Sequence, residues 1–378
     1  MPIVRSGEKV KVVVVGLGFG AEFLPIYQAH PHAELIGICQ RRVEPMRQLA
    51  ERYQIPKTYE SLGQVLADPE VDAVHINTPI PDHGPATIAA LRAGKHVACT
   101  VPMATSVQDC ETIVKLCRTT GLQYMMMETV VYAREFLHVK SLLDDGTLGR
   151  LQFVQASHQQ DMDGWPGYWE GLPPLHYATH CVGPCLALIG GRAKHVSGLG
   201  SGRIDDAAAQ KYGSPFAVES CHIEVANSDV GARIYRSLFS TARQYRESFD
   251  VYGSLASFEW PLLANESPVL HHKGRPEPAI PERITVPDFA RLLPEALRPF
   301  TRHGVYDASS NQHLSFLQGD GHGGSHPHLV HAFVSALRGE RPPFPDAQTS
   351  ANWTCVGLLG HASALAGGQV MSLPEFCV

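Results

Sequence analysis

The first 130 residues alternate short apolar runs with longer amphipathic stretches. Residues 10–15, VKVVVV, form a continuous β-branched run ending in GLGFGAEF, the pattern of a buried parallel strand that turns into a helix. Further strands are predicted at AELIGICQ (33–40), VDAVHINT (71–78), HVACT (96–100) and LQYMMM (122–127), with helices over 43–53 and 84–93 and between the last two strands. Strands and helices alternating at this length imply right-handed βαβ crossovers and a doubly wound parallel sheet of the Rossmann kind.

Beyond residue 150 the period changes. The stretches RLQFVQASHQ (150–159), CHIEVAN (221–227), ARIYRSLFS (232–240) and ESFDVYGS (247–254) are strand candidates with few helices between them, which predicts an α+β domain built on an open, largely antiparallel sheet. The Pro- and His-rich span 264–328 reads as loops, and helical stretches over 327–338 and 347–366 follow. The expected division is a dinucleotide-binding domain over 1–129 and a substrate-binding domain over 130–378, the last helices packing back on the first domain.

Composition narrows the partners. The chain has 378 residues, 44% of them hydrophobic, and a formal charge of −6, which is the wrong sign for a nucleic-acid footprint. No apolar leader pattern precedes the first strand and no apolar run reaches about 18 residues, so neither a membrane partner nor export is expected and the chain is placed in the cytoplasm. Nine cysteines without a CxxC pair read as reduced, mostly buried thiols; Cys181 and Cys185 would be helical neighbours.

Chemistry enters first at the turn after residue 15. Gly16, Gly18 and Ala21, with Phe19 and Gly20 between them, fit G-x-G-x-x-A: a tight turn, a close approach of backbone to a pyrophosphate, and a small residue for helix packing. An acidic residue that would accept from the adenosine ribose is missing from the end of the second strand, which reads Gln40, Arg41, Arg42. An arginine there can hold a 2′-phosphate and Gln40 can hold a free ribose, so both NADP and NAD stay open.

GLGFGA, NTPIPDH, GKHVACTVPMA and the sheet-rich second half together resemble the Gfo/Idh/MocA superfamily over nearly the whole chain. The resemblance favours NAD and implies cofactor contacts at Thr78 and His83 and at Thr100, Val101 and Pro102. Ordinary members carry Glu-Lys-Pro where this chain has Thr100, Val101 and Pro102, and Asp-x-x-x-His where it has His176 and His180. A lysine-based alcohol dehydrogenase mechanism is therefore not expected. TVPMA, YMMMETVVYARE, DDGTLGRLQF, YATHCVGP and GDGHGGSHPHL resemble more closely the NAD-dependent glycoside hydrolases of the superfamily, α-N-acetylgalactosaminidase-like and sulfoquinovosidase-like.

In that branch the lysine position is commonly valine and a Tyr-x-x-His segment supplies polar groups at the sugar, which Tyr177 and His180 match; a tyrosine expected on the strand leading into the site aligns with His158. The resemblance implies hydrolysis by transient oxidation: hydride leaves C3 of the sugar for tightly bound, recycled NAD, the C2 proton is removed, the C1 substituent is eliminated, water adds and the hydride returns. The expected bases are His180 at the C3 hydroxyl, assisted by Tyr177, and His158 at C2. Glu128, Tyr132 and Arg134 follow the strand YMMM towards the expected cleft, where His176 also falls. Trp165, Tyr168 and Trp169 offer rings for stacking on a sugar face.

The run GHGGSHPHLVH pairs His322 with His326 and His328 with His331 but offers no HExxH and no carboxylate at ligand spacing; a turn at Gly323 and Gly324, a helix starting at Pro327 and His322 or His326 touching substrate are expected, with no metal. Lys273, Arg275 and Arg134 are the cations that could meet an anionic substrate, a sulfoquinovoside being the leading choice. The alternatives are an NAD(P)-dependent sugar dehydrogenase or keto-glycoside lyase and, from another class, an NAD(P)-binding sensor. The open sheet predicts a homo-oligomer, dimer or tetramer.

Overall fold

The computed structural model describes residues 8–162, 170–243, 245–263, 266–274, 281–302 and 321–376. Trp165, Tyr168, Trp169 and Arg275 lie outside the described residues. The chain divides into two compact units: Met1–Tyr132 with Asp288–Ala351 and Phe376–Val378, and Ala133–Pro287 with Asn352–Glu375. Where a single boundary after residue 129 was expected, the chain changes unit after residues 132, 287, 351 and 375, because the segment Asp288–Ala351 groups with the first unit.

The first unit holds six parallel strands, β1 Val10–Val15, β2 Ala33–Cys39, β3 Lys57–Tyr59, β4 Ala73–Ile76, β5 His96–Cys99 and β6 Tyr124–Met126, in the order β3-β2-β1-β4-β5-β6. Helices α1 Leu24–Ala29, α2 Val43–Arg52, α3 Leu62–Ala67, α4 His83–Arg92 and α5 Val107–Thr120 connect them. The order reverses between β1 and β4, and in open α/β sheets such a reversal opens the crevice where ligands bind. Val12 and Val14 face a core shared with Phe23, Leu24, Leu329 and Phe333, so late residues complete the Rossmann interior.

The second unit begins at α6, Arg134–Asp144, and is built on nine strands: β7 Leu151–Gln160, β8 Ala193–Arg203, β9 Phe216–Val225, β10 Gly231–Ser237, β11 Tyr245–Gly253, β12 Ala256–Glu259, β13 Val269–His272, β14 Glu282–Arg283 and β15 Met371–Ser372. Every pairing is antiparallel except β10 with β7. Helices α7 Thr179–Ile189 and α8 Asp206–Tyr212 belong to this unit, α9 Gly321–Leu337 to the first, and α10 Ala347–Leu365 runs from the first into the second. The doubly wound sheet followed by an open, mostly antiparallel one is thus as expected.

Three elements differ from expectation. β8 was not anticipated, because AKHVSGLGSGR is rich in glycine; yet a Cβ on Gly198 would stand 2.1 Å from the Gly360 carbonyl oxygen, so the glycine is what lets α10 lie against the strand. The span read as loops contains β13, β14 and a 3-10 turn over Glu295–Thr301. α9 begins at Gly321 with His322, Gly323 and Gly324 in left-handed conformations, so the expected glycine turn is folded into the head of the helix.

Candidate functional site

On the first unit, β1 passes into Gly16 at φ +89°, where a Cβ would lie 2.4 Å from the Asn77 carbonyl oxygen; no side chain fits that turn. A Cβ on Gly18 would instead meet nothing within 4 Å, which leaves the backbone open to close approach by a pyrophosphate. Gly20 and the fully buried Ala21 start a 3-10 turn that leads into α1. Glycine turn, open backbone and helix start all lie at the sheet reversal, and these residues fit a dinucleotide.

The neighbouring loops are tied by His83. Its Nδ1 and Nε2 lie 2.8 and 2.9 Å from the carbonyl oxygens of Pro102 and Thr78, so one buried imidazole spans the loops after β4 and β5, and burial holds its pKa below the usual value. His83 is therefore a clamp on Thr78 and Pro102 rather than a group presented to solvent. Thr100 donates to the Ile76 carbonyl, and Val101, at the position where the resemblance implies a lysine in ordinary members, is an apolar side chain only 7% exposed. Arg41 and Arg42 are exposed beyond the half-buried Gln40, whose amide donates to the Arg42 carbonyl.

Other predicted residues of this unit serve internal bonds. Glu128 is fully buried and accepts from Val130 N at 3.1 Å, and the Tyr132 hydroxyl donates to the Phe344 carbonyl. His326 Nδ1 lies 3.0 Å from Glu22 Oε2 and its Nε2 3.2 Å from His322 Nδ1, with Phe19 edge-on to both rings. Of the two histidines, His326 is buried and His322, half-buried, is the outer member.

On the second unit the structure brings together all three predicted catalytic residues. His158 sits on β7, on the face against which α7 packs. His180 is in the first turn of α7, and Tyr177 ends the 3-10 turn Pro174–Tyr177 just before it. Tyr177 Oη lies 3.2 Å from His180 Nε2, and the His158 ring is 5.0 Å from that of His180 and 5.8 Å from that of Tyr177. His158 and His180 are buried; Tyr177 is half-buried. His176 points elsewhere, edge-on to His361 at 5.1 Å, with its pKa lowered to about 4 by burial.

Three charged residues that sequence reasoning missed complete the arrangement. Strand register sets Glu247 of β11 opposite His158, His158 beside Arg236 of β10, and Arg236 opposite Glu219 of β9. The four form a row of ionisable groups across one face of the sheet. Glu247 Oε1 is 3.7 Å from His158 Nε2 and 3.9 Å from His180 Nε2. The Tyr245 ring lies 5.5 Å from His158, and its phenol is pushed well above its ordinary value by burial and then by the charge of Glu247.

Arg236 and Glu219 hold the site in place. Arg236, fully buried, donates from Nε to the Tyr177 carbonyl, from Nη1 to the carbonyls of His158 and Ser237, and from Nη2 to Gln160 Oε1. One guanidinium thus fixes the backbone of two candidate catalytic residues, and its pKa is pulled down to about 10 by burial. Glu219 accepts from Leu175 N, from the Ser214 hydroxyl and from His361, anchoring the turn that presents Tyr177. Such charges survive burial only when fully bonded. Their one sequence signal is a charged side chain breaking the apolar face of a strand.

Known proteins resemble the first unit and the chain as a whole. Residues 10–128 match the family described as "Oxidoreductase family, NAD-binding Rossmann fold", GFO_IDH_MocA. A "Glycosyl hydrolase family 109 protein" of Stenotrophomonas maltophilia is 24% identical, covering 99% of this chain and 90% of that protein. A "dTDP-3,4-didehydro-2,6-dideoxy-alpha-D-glucose 3-reductase" of Streptomyces violaceoruber is 29% identical over 50% of this chain and 60% of its own length. The crystal structure of an NAD binding oxidoreductase from Klebsiella pneumoniae superposes with a TM-score of 0.78 at 16% identity, covering 97% of this chain and 99% of the other. Residues 10–128 thus carry the NAD-binding Rossmann fold of the GFO_IDH_MocA oxidoreductase family, and the chain is similar over nearly its whole length to a glycosyl hydrolase family 109 protein. Among the described residues no helix is long and apolar enough to cross a membrane.

Proposed function

We propose that the protein is an NAD-dependent glycosidase that cleaves its substrate by transient oxidation at C3 of the sugar, elimination at C1, addition of water and re-reduction. The observation that carries the reading is the gathering of Tyr177, His180, His158 and Glu247 on the second unit, in a chain with buried Val101 at the lysine position of ordinary dehydrogenases. The full-length likeness to glycosyl hydrolase family 109 supports it.

NAD, when bound, accepts hydride from the sugar and later returns it, so that no net redox occurs. The protein's own groups move the protons. His180 takes the proton of the C3 hydroxyl as the ketone forms, with Tyr177 at its Nε2 orienting the ring or relaying the proton. His158 takes the proton from C2, which the neighbouring ketone has made acidic, and the C1 substituent leaves. Glu247, beside both imidazoles, stabilises each as it becomes charged. Returned by the same groups, the protons complete hydration and re-reduction.

The leading substrate is an α-sulfoquinovoside, with the half-buried Arg134 and the exposed Lys273 as candidate partners for its sulfonate. NAD is the cofactor of choice; the exposed Arg41 and Arg42 keep NADP as the alternative. The outer face of the nine-stranded sheet, where Leu199 is 65% exposed, is our candidate for pairing with a second copy of the chain.

Aryl α-sulfoquinovoside and aryl α-N-acetylgalactosaminide, offered with a trace of NAD, distinguish the readings. Aglycone release without accumulation of NADH is expected from the first; steady NADH formation from free sugars and no release would return the protein to the dehydrogenases. His158→Ala is expected to stop exchange of the C2 proton while cofactor reduction persists, and wild-type exchange in that variant would remove His158 from its role.

A further inference from the structure

His158, His180 and Glu247 form, among the described residues, the one group of three or more His, Cys, Asp or Glu side chains whose ligand-type atoms converge, all within 4.8 Å of one another. We propose that this triad is a binding site for one divalent transition-metal ion of the zinc or cobalt kind. Two imidazoles and a carboxylate are a donor set that takes such ions, whereas magnesium and calcium ask for oxygen ligands throughout.

The distances are close to those of a ligated ion. With bonds of roughly 2.0–2.1 Å, tetrahedral geometry separates neighbouring ligand atoms by roughly 3.3 Å. Glu247 Oε1 stands 3.7 Å from His158 Nε2 and 3.9 Å from His180 Nε2, and all three ligand atoms lie within 4.8 Å of one another, so they must draw together around an ion. Tyr177 Oη, 3.2 Å from His180 Nε2, is already at ligand-to-ligand distance.

Charge and rigidity favour the same occupant. Glu247 places one carboxylate within 4 Å of both imidazoles, on the residue that strand register sets opposite His158. His158 and Glu247 are fixed opposite each other by the pairing of β7 with β11, and His180 by α7, so two of the three ligands lie on sheet and one on helix rather than on loops. Three protein ligands leave a position where an ion acidifies a bound hydroxyl or water. While the ion stays, the nitrogens that hold it are withdrawn from base catalysis, so loaded and metal-free protein are chemically different states of one site.

The proposal concerns uptake of the ion and is read independently of glycosidase activity. The full chain, stripped with chelator and dialysed, is titrated with Co2+ by calorimetry and visible absorption. One equivalent bound, with the intense visible bands of four-coordinate cobalt and displacement by Zn2+, is expected. Glu247→Gln and His158→Gln, checked for folding by circular dichroism, should lose those bands and bind roughly tenfold more weakly or worse, since loss of even an outer partner costs about 10–100-fold. His326→Gln should leave both signals unchanged. No stoichiometric uptake by the wild type, or undiminished uptake in Glu247→Gln and His158→Gln, would overturn the proposal and assign any bound cobalt to other histidines.

Discussion

His180→Ala is expected to lower kcat by about 10²–10⁴-fold, the loss that follows removal of a positioned general base. The imidazole is buried at the head of α7, with the Tyr177 hydroxyl at its Nε2 and Glu247 3.9 Å away, so truncation removes a base that the fold holds in place. Tyr177→Phe should cost less, because it removes the partner and leaves the base. The measurement is kcat on the aryl glycoside for both variants, with thermal unfolding alongside to separate chemistry from folding. A His180→Ala variant that folds and retains kcat within a factor of about two would remove His180 from the chemistry, since general acid–base catalysis contributes far more.

The second large effect is on stability. His30, His75, His96 and His328 are all buried in the first unit, and burial lowers their pKa values to about 3, 3, 4 and 4. The folded chain keeps them neutral where the unfolded chain takes up protons near pH 6.5, so the unfolded state binds more protons and stability rises with pH through this window. Stability is therefore intact above pH 6.5 and falls as pH drops towards 4, each histidine contributing about 1.4 kcal/mol per pH unit. Against a typical reserve of about 5–15 kcal/mol, that suffices to unfold the Rossmann unit under mildly acid conditions. Urea midpoints at pH 7.5, 6 and 5 should drop steeply, and less so in His75→Gln; midpoints unchanged between pH 7.5 and 5 would contradict the account.

Local pattern carried much of this architecture. The β-branched run before Gly16 and the spacing of Gly16, Gly18 and Ala21 are decided within a dozen residues, because a buried parallel strand and a phosphate-binding turn each impose their own composition. Tyr177 and His180, at i, i+3 spacing, likewise lie together in the fold, and His158, singled out by the resemblance, lies beside both. Glu247, Arg236 and Glu219 were not legible, because their meaning lies in register across four strands, the distant β7 among the consecutive β9, β10 and β11, and not in any local pattern. A charged residue in a strand ordinarily marks the solvent face, and only the pairing pattern turns it inward. His326 erred the other way: its glycine-rich surroundings suggested a cleft, whereas Glu22, brought near from the start of the chain, draws it into the core.

The measurement that tests the central claim most directly is NMR of the sugar released from aryl α-glycosides, the sulfoquinovoside among them, in deuterated water with catalytic NAD. Deuterium at C2 of the product, with no net NADH, is the predicted result, because only a route through a C3 ketone makes that proton exchangeable. Release of the sugar with C2 still fully protonated would contradict the oxidation–elimination route.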